Sequence, residues 1–122
     1  MIKFLFKSKG SLPSKPPSKY PEILRYSGDF KIIIDNKIYF EDEEFSIYEF
    51  LYYVNKWCET AEQIMEYNCI DTDENPLVSF IPYENKWKIS SPWENYANNV
   101  FFTTEELNNA IIALKEQLMG TR

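Results

Sequence analysis

Nineteen carboxylates, nine Tyr, nine Phe and three Trp are the groups with which this 122-residue chain could do chemistry. It has no histidine, two cysteines and three glycines. Without histidine there is no base for a serine or cysteine triad and no Cys/His zinc set. Three glycines cannot build a phosphate-cradling loop. Chemistry therefore falls to the carboxylates. Their densest run is Glu41, Asp42, Glu43 and Glu44; Glu59, Glu62 and Glu66 follow, then Asp71, Asp73 and Glu74.

These carboxylates match no catalytic or metal-binding pattern. Asp71-Thr72-Asp73-Glu74-Asn75 begins like a calcium loop, but Pro76 stands where the sixth position needs glycine. Pro82 stands where the twelfth needs a bidentate glutamate, so a polar turn explains the stretch and no metal is expected. No spacing marks two acids as the pair of a glycoside hydrolase, and a small carboxylate-dependent enzyme ranks behind a non-catalytic protein. Cys58 has no base and falls on an apolar helix stripe; with Cys69 it reads as a reduced core residue. No cofactor is expected.

Binding is what remains. Residues 1–25 hold six basic residues and one acidic, net +5, which leaves net -11 on residues 26–122. A body this acidic repels nucleic acid and anionic membranes and attracts a basic protein surface. Acids ahead of a helix N-terminus are worth roughly 0.3–1 kcal/mol each through the helix dipole. Two groups fill that role, and the run Glu41 to Glu44 has four. Glu59 and Glu62, three apart, are expected to be neighbours on the helix side away from its apolar stripe. The acids are thus either a solvated surface or a partner-facing patch.

Aromatic residues sharpen this. A core absorbs Phe4, Phe6, Phe30, Phe40, Phe50, Phe80 and Trp87. Tyr52 and Tyr53 are adjacent, so at most one joins a buried helix stripe. Trp93 and Tyr96 lie in the polar stretch 90–99, where they either close the core or anchor an interface. Acids, not Lys or Arg, are interleaved with them, which argues against a nucleic-acid stacking platform.

The elements that must position these residues are legible. Residues 1–7 alternate as a strand. Residues 8–20, with Gly10, Pro13, Pro16 and Pro17 among serines and lysines, form a loop or extended arm. Phe30 to Ile34 and Lys37 to Glu41 form a hairpin about Asp35-Asn36. A helix opens at Ser46 with Glu49 as its capping-box partner and Phe45 and Phe50 as staple. Its apolar face is Ile47, Phe50, Leu51, Val54, Cys58 and Ala61. Strands follow at Met65–Cys69, Leu77–Ile81, Lys86–Ser90 and Val100–Phe102. A second helix opens at Thr103 with Glu106, staples Phe102 to Leu107, and has the face Leu107, Ala110, Ile111, Leu114 and Leu118. Gly120 is placed to end it. The order predicts one α+β domain over 1–122: an antiparallel β-sheet of about five to seven strands with two amphipathic helices packed on it.

The whole resembles the immunity proteins of bacterial toxin systems, such as contact-dependent growth inhibition. The residues carrying the resemblance are Glu41 to Glu44, the helix with Tyr52, Tyr53 and Trp57, and the stretch Trp87 to Trp93. The resemblance implies a non-catalytic inhibitor and a cognate toxin domain, often a nuclease with a basic cleft. Glu41, Asp42, Glu43, Glu44, Glu59, Glu62, Asp71, Asp73 and Glu74 would mimic phosphates, with Tyr52, Tyr53, Trp93 and Tyr96 as anchors. A generic or phage-encoded interaction domain would share these features. The chain is expected to be cytoplasmic, monomeric or weakly dimeric, and free of membrane and nucleic acid: Met1 to Phe6 is too short for a signal h-region, and no apolar run spans a bilayer.

Overall fold

The structure, a computed structural model, describes residues 1–119. Gly120 lies outside the described residues. Seven strands fall into two antiparallel sheets. The first has the order β1 (Ile2–Ser8), β2 (Ser27–Ile34), β3 (Lys37–Ser46). The second runs β4 (Met65–Tyr67), β5 (Val78–Tyr83), β6 (Lys86–Ser90), β7 (Phe101–Phe102). Helix α1 (Ile47–Thr60) connects the sheets, and α2 (Thr104–Leu118) closes the chain over β1. This is an α+β fold, with the expected single sheet divided in two.

Alternation builds the core. Ile2 and Phe4, Phe30, Ile32 and Ile34, and Phe40 and Phe45 turn to one face of the first sheet and are buried. Phe4 reaches the second sheet, its ring stacked 6.4 Å from Phe80, and Phe45 meets Tyr67 at 5.6 Å. The β2–β3 hairpin turns at Asp35 and Asn36, both with positive φ (49° and 68°), the conformation a two-residue hairpin needs. Gly28 of β2 is held by space: a Cβ there would run into the Lys7 carbonyl of β1.

The helices divide the expectations. Thr103 accepts from the Glu106 N–H at 3.1 Å and the Glu106 carboxylate accepts from the Thr103 N–H at 2.8 Å, closing the expected capping box. All five expected apolar residues of α2 are buried. At α1 the Phe45–Phe50 staple forms, rings 5.4 Å apart, but the box does not. Ser46 Oγ is buried without a partner, and Glu49 is 1% exposed and turned into the core. The helix buries Trp57 where the stripe called for Cys58, which is exposed. It ends at Thr60 with Ala61 left-handed (φ 51°). Ala61 and Glu62 are therefore past the helix, and Glu62 is not a helical neighbour of Glu59. Both positions follow Val54 at helical spacing, and packing decides between them: the Trp57 indole meets the Phe80 and Trp87 rings, 5.2 and 5.0 Å away.

The proline-rich segment lies against the domain. Pro16 and Pro17 line a groove with Tyr48, Leu51 and Tyr52, and a 3-10 turn (Glu22–Leu24) buries Ile23 completely.

Candidate functional site

The acidic run is part of a strand. β3 extends to Ser46, so Glu41 to Glu44 lie on the outer edge of the first sheet, not in a connection ahead of α1. Glu41, Glu43 and Glu44 are exposed and Asp42 is half-buried. Asp42 follows Phe40 by two and shares its inward face, and burial raises its pKa above the ordinary aspartate value.

The ladder bulges here. Gly28 pairs with Phe45 and Phe30 with Asp42, which leaves Glu43 and Glu44 opposite Asp29. The bulge gathers Asp29, Glu41, Asp42, Glu43 and Glu44 around one open depression with Lys31. Two lysines answer part of this charge. Lys9 bonds Glu44 at 2.9 Å, which raises the lysine pKa and lowers that of Glu44. Lys31 bonds Asp29 at 2.6 Å. Three carboxylates of the run, Glu41, Asp42 and Glu43, have no ion pair among the described residues.

The loop between β4 and β5 carries Asp71, Asp73 and Glu74, all exposed. Its shape comes from Asn75, which accepts from the Cys69 N–H at 2.9 Å and donates to the carbonyls of Cys69 and Thr72. Glu49 completes it from below, accepting from the Tyr67 hydroxyl at 2.7 Å and the Ile70 N–H at 3.4 Å. Trp93 joins this loop to β3: its ring stacks on Phe40 at 6.2 Å, and its indole N–H donates to Glu74 at 2.8 Å. Trp93 thus links the acidic loop to β3 through the buried Phe40 ring, while the depression of the edge acids is lined by neither Trp93 nor Glu74.

Other expected residues lie elsewhere. Tyr96 is half-buried, edge-on to Tyr39 at 5.6 Å, with its hydroxyl donating to the Ile34 carbonyl at 3.4 Å; it closes the core. Tyr52 and Glu59 line the Pro16–Pro17 groove, which shares no residue with the acidic depression. Tyr52 sits 5.5 Å from Tyr20 and 4.5 Å from the Lys56 ammonium, while Tyr53 packs on Tyr67 at 5.5 Å. Burial and nearby Glu49 push the Tyr20 hydroxyl up to about 12. Glu62 is exposed in the turn after α1.

Sequence reasoning missed Asp29, Lys9 and Lys31 as members of the site, because bulge register is not visible in a strand pattern. It also missed Asn95, whose N–H donates to the Tyr39 carbonyl at 2.8 Å and whose amide donates to the Ile38 carbonyl at 3.1 Å. Among the described residues no helix is long and apolar enough to cross a membrane.

An α+β protein with an acid-lined sheet edge is the class this geometry defines. The chain belongs to the family described as Domain of unknown function (DUF7878), whose model matches residues 2–120. No curated protein and no solved structure matches it.

Proposed function

We propose that the protein is a non-catalytic inhibitor, an immunity protein that neutralises a cognate toxin domain in the cytoplasm by covering its basic cleft. One observation carries the reading: Glu41, Asp42 and Glu43, without ion pairs among the described residues, lie together on the outer strand edge of the first sheet. Carboxylates there take the place of nucleic-acid phosphates in a nuclease cleft, and Trp93, bonded to Glu74, is the rigid apolar anchor. Glu41 to Glu44, Asp71, Asp73, Glu74 and Trp93 form the contact; Tyr52, Tyr53, Glu59 and Glu62 lie outside it, and Tyr96 belongs to the core. The described surface of 7469 Å² leaves ample room for the roughly 800 Å² that a standard interface takes from each partner. Complementary fields speed association, which suits an inhibitor that must act before damage occurs.

The test is co-expression with the toxin domain encoded by the neighbouring upstream gene. Growth is restored and the two chains copurify. Reversing Glu41 and Glu43 to lysine lowers affinity about tenfold or more, and more steeply at low salt, with the fold intact by circular dichroism. Unchanged affinity at all salt concentrations, or no toxin domain that copurifies, overturns the reading.

A further inference from the structure

The register of the first sheet assigns a direction to its free main-chain groups. Gln117 of α2 donates to the Phe4 carbonyl at 2.8 Å and accepts from the Phe6 N–H at 3.1 Å. Phe4 and Phe6 therefore turn their main-chain groups away from β2. Inward and outward residues alternate in an antiparallel ladder. Leu5 and its partner Lys31 face each other, so Phe30 and Ile32 face β3 and their partners Asp42 and Phe40 face β2. Glu41, between those two, points its N–H and C=O outward. Tyr39 agrees with this parity, since its carbonyl is taken from outside by Asn95. Beyond Asp42, the Glu44 N–H is held by the Asp42 carboxylate at 3.0 Å. Among the described residues, no other segment hydrogen-bonds the main chain of Glu41.

The open length between the Asn95 clasp and the Asp42–Glu44 turn matches about three to four residues of an extended chain. Resting on the inhibitor reading, we propose that β3 receives an extended basic segment of the partner protein as an added strand, paired to the main chain of Glu41. Charge decides the occupant. Added lysines or arginines at alternate positions all fall on one face, the one that Glu41 and Glu43 share. A second copy of the same edge sets acid against acid, which disfavours self-pairing. Main-chain bonds then supply register, and the carboxylates supply selectivity for a basic strand.

The experiment uses the full chain and a short acetylated peptide of alternating Lys and Val. Its control is the same peptide N-methylated at every second amide, equal in charge but unable to donate along one edge. Binding of the first peptide slows amide exchange at Glu41 about tenfold or more, leaves Phe4 and Phe6 unchanged, and weakens about tenfold on N-methylation. Equal binding of both peptides with unchanged exchange at Glu41 overturns strand addition while the acidic-surface reading stands. No binding by either peptide also overturns strand addition, and copurification with the toxin domain then judges the inhibitor reading by itself.

Discussion

The two edges of the first sheet face the same physical problem and solve it in opposite ways. On β1 the exposed N–H and C=O groups are covered by α2, whose Gln117 fills a donor and an acceptor at once. On β3, among the described residues, Asn95 takes the carbonyls of Tyr39 and Ile38 and the Asp42 carboxylate takes the Glu44 N–H, and the stretch between is lined with acids. One edge is closed by hydrogen bonds and the other is guarded by charge. A hydrogen-bonded clasp excludes every partner, whereas a charged edge excludes only partners of like sign. The difference separates a structural edge from one available for recognition.

The elements attached to each edge break the comparison most sharply. β3 runs into α1, and α1 is tied to the acidic loop by buried Glu49. Glu49→Ala leaves the Tyr67 hydroxyl and Ile70 N–H unpaired and should cost about 2–4 kcal/mol, read by denaturant unfolding. A cost under about 1 kcal/mol contradicts the tether. Next is Gln117→Ala, expected to cost about 1–2 kcal/mol and to open β1 for pairing between copies, visible as concentration-dependent sedimentation. If β1 stays monomeric, Gln117 is not what closes that edge.

Smaller effects sharpen it. Thr103→Ala should lose about 1 kcal/mol, because its hydroxyl caps the helix that covers β1. Ser46→Ala at the β3 end should be close to neutral, since its hydroxyl has no partner to lose; equal losses at both sites would contradict the asymmetry. The smallest effect is in titration. Asp42 has its folded pKa raised by burial, so its contribution to stability grows as pH falls through that value. Glu44 has its pKa lowered by Lys9, so its contribution is present above the unfolded value and lost as pH falls. Carboxyl carbon titration should place Asp42 above the ordinary aspartate midpoint and Glu44 below the ordinary glutamate one. Lys9→Ala should return Glu44 to its ordinary value and leave Asp42 raised.

Local patterns were legible where one interaction decides the outcome. The Asp35-Asn36 turn, the Thr103 box and the α2 stripe depend on residues within one turn of each other. Ser46 and Glu49 show the limit. The same box spelling was present, yet Tyr67 and Ile70, from a different strand and loop, offer Glu49 a buried pair of donors that the helix terminus cannot match. Cys58 and Glu62 failed for a related reason: the end of α1 at Ala61 and the pull of Phe80 and Trp87 come from outside the helix.

Of the candidate surface, sequence alone determined its sign, its lack of histidine chemistry and the presence of an acidic run beside aromatic residues, because these follow from composition and order. Only the tertiary structure decided that Glu41 to Glu44 are a strand edge, that Asp29 joins them through a bulge, that Trp93 bridges Phe40 to Glu74, and that the Glu41 main chain faces outward. Each of those depends on register between segments far apart in the chain. Register is set by how both faces of a sheet are covered, a property of the packed whole that no single segment encodes.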